Sequence, residues 1–328
     1  MTRCTRASVV CISAIAALWL NNTSVFTTVD TEAPLRLIAH RGVHHVYTGT
    51  QRGNDTCRAS QVEPITHGYI ENTVPSMEAA FAAGAAVVEV DVHLTVDGVF
   101  AVFHDWTLDC QTDGHGVTRS HRFDALARLD LGFRITADGE TFPLRGQGVG
   151  LMPRLDDVLA RFPGRILINL KSRDAREGRE LAKRLNALDG AATAFAVYGG
   201  GPPVNATLAL VPGLRGFDKR VLVRCWGLYA LVGWSGWVPP ACRDRLLAIP
   251  LDMAPMLWGW PHRLTARLRR AGSELILWGP YDGSGFSSGI DDRATLDRVP
   301  TGFGGFVWTN TIERIGPARA TGATEPPT

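Results

Sequence analysis

The sequence predicts an α/β protein, specifically a (β/α)8 TIM-type barrel. Short apolar runs alternate with helical patterns along most of the 328 residues. Several of these runs are continuously apolar, which is how strands buried on both faces of a parallel sheet read. Charged and polar groups also cluster at the ends of successive runs, where they are costly unless paired, metal-bound or used in chemistry. A doubly wound open sheet is the runner-up, but no G-x-G-x-x-G follows the first run.

Taken in order, LRLIA (35–39) is the first strand candidate, and SMEAAFAAG (76–84) is helical with Gly84 as its stop. AVVEVDV (86–92) and VFAVF (99–103) are strands joined through the Asp97-Gly98 turn. LDDVLARF (155–162) is helical and broken by Pro163-Gly164, RILINLK (165–171) is a strand, and AREGRELAKRLNAL (175–188) is an amphipathic helix. TAFAVYG (193–199), LRGF (214–217), LLAIPLD (246–252), ELILWG (274–279) and GGFVWT (304–309) complete nine strand candidates. One is therefore surplus to an eight-stranded barrel, with LRGF and LLAIPLD the weakest. Residues 43–70 and 107–154 are longer than ordinary connections, which marks them as functional or disordered. No linker divides the chain, so residues 31–316 read as one barrel domain, preceded by an N-terminal segment (1–30) and followed by a loose tail (317–328).

Net charge is +2 at a pI near 8.3, too balanced for a nucleic-acid partner. Arg3 and Arg6 precede the apolar run ASVVCISAIAALWL (7–20), the pattern of a secretory signal. The run is short for a membrane span and lacks a clean A-x-A site, so cleaved signal and retained anchor both stay open; a buried helix is the alternative. Export is the expected location. Cys57, Cys110, Cys225 and Cys242 then form an even set compatible with disulfides, and the absence of C-x-x-C speaks against zinc. Asn21, Asn22, Asn54 and Asn205 stand in Asn-x-Ser/Thr sequences, relevant only in a glycosylating pathway. Five of the nine tryptophans lie between Trp226 and Trp260, either as packing or as a membrane-surface contact.

Side chains at i and i+2 of a strand share a face, so Glu89 and Asp91 point one way and Val88 and Val90 the other. Two adjacent buried anions repel, and either a hard divalent cation or an ion pair with Lys171 or an arginine relieves this. Asn169 and Lys171 share the same relation on LINLK, and Lys171 is one of only three lysines. His40 and His104 each close a strand run beside the acidic pair, as proton-transfer groups would. Arg41 offers a bidentate phosphate clamp.

His40-Arg41-Gly42, Glu71-Asn72-Thr73, Glu89-Val90-Asp91-Val92, Asp97-Gly98, His104-Asp105 and the strand ending in Lys171 together resemble the glycerophosphodiester phosphodiesterase family, a branch of the phospholipase-C-like barrels. The likeness is strong over about residues 35–171 and weaker beyond, where GGFVWTN resembles the family's last strand. It implies a divalent metal, Mg²⁺ or Ca²⁺, and hydrolysis of a glycerophosphodiester to glycerol 3-phosphate and an alcohol. It further implies His40 and His104 as the acid/base pair, Arg41 and Lys171 as substrate-binding residues, and a metal set of Glu89, Asp91, Glu71 and Asn169. One departure stands out: the family has an acidic residue where this chain has Asn169, with Glu71 the nearest residue to compensate. A phospholipase acting on membrane or lyso-lipids, and a weakened binding protein, are the alternatives. If the loops after the His40 and His104 strands hang over one barrel mouth, Cys57 pairs with Cys110, leaving Cys225 for Cys242.

Overall fold

In the computed structural model, which describes residues 3–30, 34–49, 56–283 and 288–321, the chain forms a parallel barrel ringed by helices. The strands are β1 (Arg36–His40), β2 (Ala85–Leu94), β3 (Phe100–Val102), β4 (Ile166–Leu170), β5 (Ala196–Gly199), β6 (Gly216–Phe217), β7 (Leu246–Pro250), β8 (Glu274–Trp278) and β9 (Phe306–Thr309). Their hydrogen-bonded order is β6-β5-β4-β2-β1-β9-β8-β7, with β3 pairing antiparallel to β2 outside this path. The eight parallel strands make a nearly closed barrel, open only between β6 and β7. The helices are α1 (Arg3–Asn22), α2 (Val74–Ala82), α3 (Phe123–Leu126), α4 (Leu155–Arg161), α5 (Ala175–Ala187), α6 (Gly201–Leu210), α7 (Lys219–Val232), α8 (His262–Arg270), α9 (Arg293–Leu296) and α10 (Ile312–Thr321).

The surplus strand is VFAVF. LRGF and LLAIPLD, the weaker candidates, both join the barrel as β6 and β7. The Asp97-Gly98 turn is the reason. Gly98 sits at φ +77, and a two-way hairpin turn cannot feed a parallel neighbour, which needs a crossover. β4 (ILINL) is buried along nearly its whole length, as a strand covered on both faces should be. Helix starts follow local chemistry: Thr73, Asp174 and Asp218 accept from backbone N–H groups of α2, α5 and α7.

A second apolar cluster lies beside the main core. Val62 and Ile70 from the first long segment pack with Leu108, Phe123, Leu126, Leu131 and Ile135 from the second. The two long segments are thus folded together. Cys57 bonds to Cys110 across them with Cα atoms 5.2 Å apart, and Cys225 bonds to Cys242 at 4.9 Å, both as expected from sequence. Such crosslinks belong to an oxidising compartment.

α1 is solvent-exposed, with Val10, Ile12 and Ile15 about two-thirds accessible, which excludes a buried helix. No helix among the described residues is long and apolar enough to cross a membrane. Asn54 lies outside the described residues. α10 continues into the first residues of the tail that begins at 317. The tryptophans of 226–260 divide: Trp226 donates to Ala248 O and packs on the core, whereas Trp234 and Trp237 are about half exposed.

Candidate active site

β1, β2 and β9 deliver the polar groups to one mouth of the barrel. β1 ends at His40, and the next two residues turn sharply. Arg41 takes φ +58, a left-handed conformation that costs energy for a side-chain-bearing residue. Gly42 follows at φ +83, where a Cβ would lie 2.1 Å from Ser76 Oγ, so only glycine fits. The turn is held by Arg41 N–H donating to Glu89 O, and by Ser76 Oγ and Asn72 N–H donating to Arg41 O. Asn72, itself at φ +59, donates through Nδ2 to Asp91 Oδ2 at 3.2 Å and accepts from Asp91 N–H at 3.0 Å. The Glu71-Asn72-Thr73 motif is therefore a brace for Asp91 as well as a helix start.

Glu89 and Asp91 are fully buried, on the shared strand face expected from alternation. Asp91 is saturated: Arg41 Nε stands 3.0 Å and Lys171 Nζ 3.5 Å away, and Asn169 Nδ2 donates to Oδ1 at 2.8 Å. Burial alone would raise its pKa, but Lys171 and Arg41 together hold it below the ordinary value. Glu89 is poorly compensated. Tyr198 donates its hydroxyl to Oε1 at 2.6 Å, yet the buried Oε2 has no hydrogen-bond partner. Burial, reinforced by the Asp91 charge, pushes Glu89 strongly upward. Glu71 is brought to Arg41, at 3.1 Å from Nη1, rather than to Glu89. Arg41 stays firmly charged because Glu71, Asp91 and Glu89 outweigh its burial.

The two histidines are oriented by different partners. Asn310, which follows β9, donates Nδ2 to Asp291 Oδ2 at 2.7 Å. A carboxylate only accepts, so the amide oxygen must face His40, and His40 Nδ1 must carry the proton it donates over 2.6 Å. That leaves His40 Nε2 as the reactive nitrogen, 3.8 Å from the unpartnered Glu89 Oε2. His104 donates Nδ1–H to Asp105 Oδ1 at 2.7 Å, which likewise frees Nε2. Burial, followed by the Arg41 charge, holds both histidines well below their ordinary pKa. Burial and then Glu71 lift Asp105 to about 7. His93, on the Asp91 face, donates Nε2–H to His104 O at 3.3 Å and is kept neutral by burial, at about 4.

For a hard divalent cation the open acceptor is Glu89 Oε2, buried without a partner, whereas Asp91 is already met by Arg41, Lys171 and Asn72 and Asn169 turns its Nδ2 toward it. Among the described residues no cluster of three or more His, Cys, Asp or Glu is arranged for a metal, which follows from asparagine at 169 and from Glu71 lying against Arg41. Sequence reasoning did not single out Tyr198, Asn310 or Asp291. Asn310 carried a readable signal, since it closes the last strand as His40 closes the first. Tyr198 and Asp291 carried none.

Residues 40–193 match the model of the Glycerophosphoryl diester phosphodiesterase family. A glycerophosphodiester phosphodiesterase from Bacillus subtilis (strain 168) is 36% identical over 119 residues, covering 34% of this chain and 40% of that protein. The chain thus spans about two fifths of that relative's length. Among solved structures, a glycerophosphodiester phosphodiesterase from Agrobacterium tumefaciens str. C58 superposes with a TM-score of 0.58 at 20% identity, over 86% of this chain and 99% of that one. An Oleispira antarctica phosphodiesterase in complex with the product sn-glycerol-3-phosphate superposes at 0.51 and 18% identity, over 88% and 98%. Those structures share the barrel. The matched residues 40–193 also hold His40, Arg41, Glu89, Asp91, His104 and Lys171, so this segment, just under half of the chain, is similar to the glycerophosphoryl diester phosphodiesterase family.

Proposed function

We propose that the protein hydrolyses glycerophosphodiesters to glycerol 3-phosphate and an alcohol. The observation that carries this is the pair of buried histidines with Nδ1 tied and Nε2 free, set around the Glu89–Asp91–Arg41–Lys171 cluster. His104, backed by the Asp105 carboxylate, is the base. Its Nε2 takes a proton from the attacking hydroxyl of water, and Asp105 stabilises the imidazolium that forms. The new P–O bond forms as the bond to the leaving alcohol breaks. His40 acts from its doubly protonated form, which its Asn310 bond favours against burial, and gives that alcohol the proton on Nε2. Arg41 and Lys171 stabilise the charge that develops on the phosphoryl oxygens. A divalent cation, Mg²⁺ or Ca²⁺, would be held by Glu89 and Asp91, and by Asn169 once its amide turns over to present the oxygen in place of Nδ2, with Glu71 left to Arg41; when bound it supplies Lewis-acid stabilisation of phosphoryl charge.

A soluble diester suits this chain better than an intact membrane lipid. Residues 233–245 lead into β7 from its N-terminal end, so Trp234 and Trp237 lie at the opposite end of the barrel from His40 and His104. Asn21 and Asn22, at the end of the apolar α1, both donate to Trp234 O. We read this end as the lipid-facing one in an exported protein, with the mouth turned away from the membrane. Purified protein with glycerophosphocholine, with and without EDTA, tests the function. Release of glycerol 3-phosphate and choline that EDTA abolishes and Mg²⁺ or Ca²⁺ restores is expected. No hydrolysis of any glycerophosphodiester with either cation present overturns it.

A further inference from the structure

The first long segment brings a cation to the mouth that the barrel itself does not supply. Arg58 adjoins Cys57, whose bond to Cys110 fastens this segment to the chain six residues after His104. Together with His44, His45, Glu71, Asp105 and Gln111 it lines a recess, and Glu71 and Asp105 are also the partners of Arg41 and His104.

The other two cations of the site are already engaged. Arg41 is committed to Glu71 and Asp91, and Lys171 to Asp91. Arg58, unlike Arg41, makes no ion pair among the described residues; its Nε, like that of Arg41, is buried without a hydrogen-bond partner. Leaving a buried charged donor unmet is costly, and a guanidinium is matched in shape to a phosphate. Arg58 shares its recess with Glu71 and Asp105, the partners of Arg41 and His104, which sets it beside the reacting groups.

We propose that Arg58 binds the phosphate of the diester directly and that the Cys57–Cys110 disulfide holds it there. This rests on the phosphodiesterase reading of the same site. The barrel's Arg41 and Lys171, paired with carboxylates at rest, then act on the charge that develops during reaction, while the inserted arginine recognises the incoming anion. Arg58 acts on binding rather than on proton transfer, so its loss should raise KM with little change in kcat.

Calorimetric titration with sn-glycerol 3-phosphate and with inorganic phosphate tests this on wild type, Arg58→Gln, Arg58→Lys and a Cys57→Ser/Cys110→Ser variant. Melting curves establish that each is folded. Arg58→Gln should weaken binding of both anions by about 10–10²-fold, the scale of one charge-assisted bidentate contact. Arg58→Lys should recover part of the loss. The double serine variant should weaken wild-type binding comparably, yet add little on top of Arg58→Gln, because both act through one side chain. Wild type that binds glycerol 3-phosphate while Arg58→Gln binds it equally overturns the role of Arg58 and leaves the phosphodiesterase reading standing. Wild type that binds neither anion overturns both. Fully additive losses from the disulfide and Arg58 variants overturn the positioning role of the disulfide.

Discussion

Replacing Asn310 with alanine isolates the orientation of His40 from its chemistry. The variant removes the acceptor of a 2.6 Å hydrogen bond from His40 Nδ1–H and leaves that buried N–H unpaired. A hydrogen bond to a group that becomes charged is worth roughly 1.5–3 kcal/mol. At about 1.4 kcal/mol per decade, kcat should fall by roughly 10–10²-fold. The pH profile carries a second signature. The Asn310 bond raises the His40 pKa against the burial that lowers it. Without that bond the imidazolium is less stable, so His40 gives up its acidic proton at lower pH. The alkaline limb of kcat/KM should therefore move toward acid, while the limb set by His104 stays in place. Release of glycerol 3-phosphate followed from pH 5 to 9 provides the assay, with a melting curve for integrity. A folded Asn310→Ala protein with wild-type kcat and an unmoved alkaline limb would remove Asn310 from the role assigned to it.

His40→Ala and His104→Ala should each lower turnover by roughly 10²–10⁴-fold, the usual contribution of general acid–base catalysis; near-normal turnover in either folded variant contradicts the pair. Glu177 is buried behind β2, accepting from Leu94 N–H and from the Ser172 hydroxyl, and burial raises its pKa. The folded state thus holds this proton more tightly than the unfolded chain does. That contribution is full below the unfolded value of about 4.3 and is lost as pH rises through the folded one. Glu177→Gln should therefore melt higher than wild type at pH 8 and equal it near pH 4, and a difference that grows toward acid would contradict the sign.

The fold was legible because period and burial agree. Runs such as RILINLK stay apolar except for Asn169 and Lys171 near their end, so they belong inside a covered parallel sheet, and the i, i+2 rule alone put Glu89 and Asp91 on one side. VFAVF read as a barrel strand because composition cannot distinguish an antiparallel hairpin partner from a parallel neighbour. The grouping of the candidate site's residues was legible where they end strands. It was not legible where they act across the fold: Tyr198 meets Glu89 from β5, and Asp291 reaches Asn310 from a loop. Nor does sequence reveal that Glu71 lies against Arg41, since that depends on a left-handed turn at Arg41.

Under the proposed function, Asn169 is where charge balance, cation and substrate meet. Four carboxylates around the mouth, Glu71, Glu89, Asp91 and Asp105, face three cations, Arg41, Lys171 and Arg58. A divalent cation and one phosphodiester anion would then bring the site to neutrality. An acid at 169 would leave it one charge negative with substrate bound. β4 and β2 pair with Asn169 opposite Asp91, and the amide donates to the carboxylate at 2.8 Å. Asn169→Asp replaces this donor with a second anion. Two like charges 4 Å apart repel by roughly 4 kcal/mol at an effective dielectric near 20. Without cation the variant should melt well below wild type. With saturating Mg²⁺ or Ca²⁺ it should recover, so its cation-induced rise in Tm should clearly exceed that of wild type. Cation affinity should tighten while KM for the diester rises, because the added charge favours the one ligand and opposes the other. Equal cation-induced shifts in the two proteins would place the cation away from residue 169 and refute the charge balance drawn from it.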